Sequence, residues 1–178
     1  MMPIATNRAA PLQLLQADYA DPAHMAALVS LLDAYANDAT GGGEALSDFA
    51  KANLPAALRA RAFMFSVLAF DVSAGPAVPV GLVNCVEGFS TFACQPLVNV
   101  HDVVVLASHR GQRIAQQMFA LVEQIARQRG ACKLTLEVLS GNTPAVTLYR
   151  RLGFDNYQLD PAMGHAQFMQ KWLTQMSL

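Results

Sequence analysis

The stretch from Val98 to Ala126, VNVHDVVVLASHRGQRIAQQMFALVEQIA, constrains this chain more than any other. Val98 to Leu106 is a β-branched, apolar run that reads as a buried strand. A long amphipathic helix follows, and it is opened by the turn Arg110-Gly111-Gln112-Arg113-Ile114-Ala115. The first amide N–H groups of a helix have no partner inside it, and the positive end of the helix dipole lies there. Together they make a cradle for phosphate. Strand, donor-rich turn and helix suggest a ligand that carries pyrophosphate.

At 178 residues the chain is read as one domain, residues 1–178, long enough to bury a sizeable core. A net charge of -1 gives no electrostatic reason to expect nucleic acid or an anionic membrane as partner. Charged residues are 14% of the chain, against about 25% in typical soluble domains. Such a surface leans towards a buried subunit interface, read as a homodimer. The N-terminus lacks the unbroken apolar core and cleavage site of a secretory signal, and no run approaches the roughly 18 apolar residues of a membrane span. Cys85, Cys94 and Cys132 form no CxxC pair and have no partnered histidine spacing, so no metal is expected. They read as buried reduced thiols in a cytoplasmic protein, with Cys85 and Cys94 placed where they could face each other across a hairpin.

Along the chain, Leu12 to Ala17 reads as a first strand, and Asp21-Pro22 as the N-cap and first position of a helix. A second helix is expected from Ser47 to Arg61, with Pro55 a point at which it can split. Phe63 to Phe70 and Val78 to Glu87 read as a strand pair, and Gly88 to Pro96 as the connection to the central strand. Beyond the long helix come a strand from Cys132 to Leu139 and a short helix from Thr143 to Leu152, ended by Gly153. Two last strands are expected at Phe154 to Leu159 and Ala166 to Leu173. The order is that of a mixed α/β (α+β) domain.

The RGQRIA turn after VHDVVV, the later KLTLEV…N…A…LYRRLGF and the order of elements resemble the Gcn5-related N-acetyltransferase (GNAT) family. That family's phosphate pattern is Arg/Gln-x-x-Gly-x-Gly/Ala. Arg110 supplies its first position and Ala115 its last, while Arg113 stands where the middle glycine is usual. The resemblance implies a mostly antiparallel central sheet of six or seven strands, splayed at its centre and flanked by about four helices. It also implies acetyl-coenzyme A as co-substrate, lying where the central strand parts from the next. Backbone groups of Val103, Val104 and Val105 would pair with the pantetheine arm. The amides of Arg110, Gly111, Gln112, Arg113, Ile114 and Ala115 would hold the pyrophosphate. In an early helical turn Arg113 would take ordinary backbone angles and add a phosphate contact. Asn142 corresponds to the family's asparagine near the cofactor arm, and it suits a helix cap equally well. Tyr149 corresponds to the phenol that protonates the departing thiolate. A phenol of pKa about 10 is a reasonable acid for a thiolate of about 8.5.

Attack on a thioester needs a neutral amine, and deprotonating an alkylamine at pH 7 costs about 4 to 5 kcal/mol. A carboxylate or imidazole facing the acceptor is therefore required. His101 and Asp102 lie on the central strand, and adjacent strand residues point to opposite faces, so one of the two is expected in the cleft. Phe89-Ser90-Thr91-Phe92, Pro96 and His101-Asp102 resemble the diamine acetyltransferase branch, which has Glu-Asp at the last pair. Asp102 suits either an ammonium site or a strand anchor; His101 suits either a base or a structural imidazole. Glu137 and Glu87 are further carboxylates, read as surface or network groups. Gly41 to Gly43 read as a flexible turn, with a mobile lid as the alternative.

The expected function is transfer of an acetyl group to the primary amine of a small molecule: a polyamine, an amino acid or an aminoglycoside-like compound. The alternatives are acetylation of a protein N-terminus or lysine, and a non-catalytic acyl-coenzyme A sensor.

Overall fold

A computed structural model describes residues 11–38, 41–158, 160, 162, 164 and 166–173. Its elements are β1 (Leu12–Gln16), α1 (Pro22–Ala36), α2 (Asp48–Arg59), β2 (Met64–Asp71), β3 (Val78–Ser90), β4 (Gln95–Val105), α3 (Ile114–Gln128), β5 (Leu134–Leu136) and α4 (Thr143–Arg151). A single 3-10 turn, Ala107–His109, joins β4 to α3. The chain divides after Leu136 into two compact units.

The first unit holds a five-stranded sheet of order β1-β2-β3-β4-β5. Neighbours are antiparallel except β4 and β5, which are parallel. Its helices begin where the sequence supplies acceptors for the orphan amides. The Asp21 carboxylate accepts from the Ala23 N–H at 2.8 Å, with Pro22 next in line, and Ser47 Oγ accepts from the Ala50 N–H at 3.1 Å. Pro55 lies inside α2, which continues through it. At the far end of α3, Gly130 sits at φ +73° and the Ala131 N–H reaches back to the Ala126 carbonyl at 2.9 Å.

Each face of the sheet is covered by helix. Met25, Leu28, Leu31 and Leu58 of α1 and α2 form one buried cluster with Leu68, Leu82 and Val104. On the other face, a Cβ at Gly81 would meet the Met118 side chain of α3 at 3.0 Å, so glycine there lets α3 seat closely. Gly81 and Leu82 are consecutive, and consecutive strand residues point oppositely, so α1 and α3 lie on opposite faces.

Several expectations are corrected here. Five strands pair among the described residues, not six or seven. Residues 154–158 and 166–173 form no strand, and Leu159 lies outside the described residues. Tyr157, Phe168, Met169 and Trp172 are exposed. Alternating composition reports only a local tendency, whereas a strand exists only where a neighbour completes its ladder. The same reason shortens the segment Cys132 to Leu139 to its three paired residues in β5. Conversely, the connection read at Gly88 to Pro96 shrinks to the turn at 91–94, because the β3–β4 ladder runs out to Ser90 opposite Gln95. Cys94 lies in the turn beyond it at φ +50°, while Cys85 pairs with Val100, so the two do not face each other. Of the three thiols only Cys85 is buried; Cys94 and Cys132 are exposed.

Burial pushes the Cys85 thiol up to about 12, so it stays protonated at pH 8. Alkylation of the folded protein with iodoacetamide at pH 8 is expected to modify Cys94 and Cys132 and to spare Cys85, read by peptide mass spectrometry. Labelling of all three at one rate would contradict this packing.

Candidate active site

The ladder between β3 and β4 is not regular. Asn84 lies opposite Asp102, yet the next residue of β3, Cys85, lies opposite Val100. β4 therefore has one residue more than its partner at this point, and the extra residue is His101. Such a β-bulge shifts the pleat by one. Val100 consequently shares the α3 face with Cys85, while Asp102 shares the α1 face with Asn84, Leu82 and Val104. His101 is exposed on the bulge, and Asp102 is half-buried. Of the pair only Asp102 lies on the α1 face, and the bulge rather than simple alternation decides which of the two it is.

Asp102 is held by a hydrogen-bonded row that crosses three strands. The Asn84 Nδ2–H donates to Asp102 Oδ2 at 2.9 Å, and Ser66 Oγ donates to Asn84 Oδ1 at 2.6 Å. Ser66, Asn84 and Asp102 are direct register partners on β2, β3 and β4. Tyr19 Oη lies 2.8 Å from Ser66 Oγ. Because the single Ser66 proton goes to Asn84, Tyr19 must be the donor in that pair. Burial raises the Tyr19 phenol, which keeps it protonated for this role, although the bond to Ser66 works the other way. Tyr35, on α1, is also raised, first by burial and then by the charges of Asp102 and Asp38. Asp102 therefore looks towards the C-terminal end of α1.

The bulge also sets the backbone. Before it, the Val98 N–H donates to the Lys133 carbonyl at 3.1 Å, on the β5 side; after it, the Leu106 N–H donates to the Val80 carbonyl at 3.0 Å, on the β3 side. By alternation Val104 also turns its amide groups to β3, and Val103 and Val105 turn theirs outward. β5 pairs only with Val98–Val100. Along Val103 to Val105 no strand pairs with that edge among the described residues. Of the three valines singled out by sequence, Val103 and Val105 turn backbone away from β3, the Val105 carbonyl accepting from Arg110 Nε, and Val104 is a core residue whose amide groups face β3.

Past β4, the first helical bond of α3 is from the Gln117 N–H to the Arg113 carbonyl, so the amides of Gly111 to Ala115 donate to no helical carbonyl. Arg113 is the N-cap, at φ 61° and ψ 21°. The ordinary helical angles expected for it are overturned. The turn demands a left-handed residue here, as it does at Gly111 with φ +79°, and a side chain in that region costs about 1 kcal/mol or more. Arg110 points away from the turn: its Nε donates to the Val105 carbonyl at 3.1 Å and its Nη2 pairs with Asp38 at 2.7 Å. That ion pair ties the end of α1 to the donor-rich turn.

In the second unit, Asn142 caps α4, its Oδ1 accepting from the Ala145 N–H at 3.3 Å. Tyr149 is buried and meets the Phe154 ring edge-on at 6.0 Å between centroids. Glu137 is exposed. Glu87, in the first unit, pairs with Arg129 at 3.0 Å and is a network residue. Among the described residues no group of His, Cys, Asp and Glu side chains is arranged to hold a metal ion, and no helix is long and apolar enough to cross a membrane.

Sequence reasoning missed Tyr19, Ser66, Asn84, Tyr35 and Asp38. A signal existed for two of them. Ser66 and Asn84 are the only polar side chains inside the runs FMFSVLAF and VGLVNCV, and a polar group on a buried strand needs a purpose.

Residues 28–154 match the sequence pattern of the acetyltransferase (GNAT) family. The chain belongs to that family. Streptothricin acetyltransferase of Streptomyces lavendulae is 34% identical over 96 residues, covering 52% of this chain and 51% of that protein. The chain thus spans about half the length of that relative. Thialysine N-ε-acetyltransferase of Sus scrofa is 31% identical over 121 residues, 62% of this chain and 69% of that protein. An aminoglycoside N-acetyltransferase solved in complex with CoA has the same fold at 16% identity, with a TM-score of 0.67 over 93% of this chain and 98% of that one.

Arg113→Gly separates strain from charge. It is expected to raise or leave unchanged the urea midpoint of unfolding, because glycine takes the left-handed region freely. If the Arg113 guanidinium contacts phosphate, as the family resemblance implies, the substitution is expected to weaken coenzyme A binding about fivefold in low-salt calorimetry. Undiminished affinity would remove the Arg113 guanidinium from the phosphate site.

Proposed function

We propose that this GNAT protein is an N-acetyltransferase that moves the acetyl group of acetyl-coenzyme A directly to the primary amine of a small molecule. The observation that carries the proposal is the division of labour on β4. One edge, from Val103 to the Val105 N–H, is paired with no strand among the described residues, the Val105 carbonyl being taken by Arg110 Nε, while the α1 face holds a carboxylate, Asp102, with one oxygen bonded to Asn84.

In this reading the thioester supplies an acyl carbon activated towards attack by an amine. The amides of Gly111 to Ala115, with Arg113, bind the pyrophosphate. The outward backbone of Val103 and Val105 aligns the pantetheine arm, and an N–H there stabilises negative charge growing on the acetyl oxygen. Asp102 receives the acceptor as an ammonium ion and takes up its proton, and the exposed His101 beside it passes that proton to water. Tyr149, matched to the family's acid, returns a proton to the departing sulfur. Asn142 caps the helix that carries Tyr149. The relatives named for streptothricin and thialysine support a small-molecule acceptor.

A release assay for free coenzyme A against polyamines, amino acids and aminoglycosides tests the proposal. At least one amine is expected to turn over. With that amine, Tyr149→Phe is expected to lower kcat about tenfold or more with cofactor affinity nearly intact, and Asp102→Asn to lower kcat/KM for the amine by a similar factor. Tight coenzyme A binding without turnover of any amine would favour a sensor instead. An unchanged rate in Tyr149→Phe would remove that residue as the acid.

A further inference from the structure

We propose that Asn84 is a positioning residue for acetyl transfer. Its amide, itself locked by Ser66 and Tyr19, fixes the Asp102 carboxylate so that Oδ1 is presented to the acceptor amine. The inference rests on the acetyl-transfer reading and adds the residues that make Asp102 competent in it.

The direction of every hydrogen bond in the row is determined. A carboxylate only accepts, so the Asn84 amide must turn its Nδ2 towards Asp102 and its Oδ1 towards Ser66. Ser66 then has no proton left, and Tyr19 supplies the last donor. Each member is held in one orientation by the next, and the row ends on Asp102 Oδ2. Oδ1 makes no hydrogen bond among the described residues. Tyr19 is anchored in turn by Arg59 of α2, whose Nε donates to the Tyr19 carbonyl at 3.0 Å. Helix, loop and three strands therefore converge on one carboxylate.

Folding alone does not call for this row. Its neighbours on the same face, Leu68, Leu82 and Val104, are buried and apolar. Ser66 and Asn84 are almost fully buried, at 0% and 3% exposure. Replacing paired buried polar groups by apolar ones of similar shape is commonly neutral or stabilising. Aliphatic residues at 66, 84 and 102 would continue the core without a break. The polar choice becomes intelligible once a charge with a fixed direction is needed at the third position, beside the bulge and the open edge. A free aspartate at a half-exposed site would sample several rotamers and present its lone pairs to the amine only part of the time.

The test is a double-mutant cycle on the full chain with the amine found to turn over. Asn84→Leu is expected to reduce kcat/KM for the amine about tenfold, with KM for acetyl-coenzyme A changed less than twofold. In an Asp102→Asn background, where the Asn side chain still accepts from Asn84 but carries no charge, Asn84→Leu is expected to cost less than twofold more. Ser66→Ala, the milder change, is expected to show the same pattern at about threefold, and it decides the matter if Asn84→Leu does not fold. Equal losses in both backgrounds, losses shared by both substrates, or an unchanged amine kcat/KM would overturn the inference. An active wild type with an impaired Asp102→Asn and an unimpaired Asn84→Leu overturns this inference alone. A wild type that turns over no amine overturns the acetyl-transfer reading and this inference together.

Discussion

The extra residue in β4 at His101 is the constraint on which the rest of the first unit depends. Without it, Val100, Asp102 and Val104 would share one face of the sheet, and the backbone of Val98 and Val103 would fall out of their present alternation. With it, β4 pairs with β5 on one side as far as Val100 and then turns its outward amides to an edge that no strand pairs among the described residues. The same step moves Asp102 onto the α1 face. One inserted residue thereby yields both a strand edge that β5 does not pair and a carboxylate on the α1 face.

Around this step the structure spends buried polarity in an ordered way. The row from Tyr19 through Ser66 and Asn84 to Asp102 satisfies each of its members, and no buried side-chain polar atom is left without a partner among the described residues. The strain in the turn before α3 has a similar character. Arg113 occupies a left-handed conformation that glycine would take at less cost, in a turn whose geometry leaves a run of amides pointing outward. Costs of this kind persist where surrounding structure fixes them, and they gather at sites of binding and catalysis. The Arg110–Asp38 pair links that turn to the end of α1, so the two halves of the candidate site share a hinge of charge.

Much of this was legible beforehand. The strand-turn-helix from Val98 to Ala126, the caps at Asp21, Ser47 and Asn142, and the stop at Gly153 are written in residues that act on their immediate neighbours. The GNAT resemblance rested on the same local motifs and led to the family that the chain belongs to. The missing terminal strands show the limit of such reading. Exposed apolar residues such as Phe168 and Trp172 look like strand residues in a string of letters, but nothing in the string names a ladder partner.

The sequence by itself determined the order of elements as far as α4, the donor-rich turn and the presence of His101 and Asp102 on the central strand, because hydrophobic periodicity and capping act within a few residues. The tertiary structure alone decided which face Asp102 takes, that Asn84 holds it, that Arg110 is paired with Asp38 and that Arg113 is left-handed. Each of these depends on register between strands or on a contact across many residues, 72 in the case of Arg110 and Asp38. Pairing of that range is settled by packing of the whole sheet and its helices, so no short window of the chain contains it.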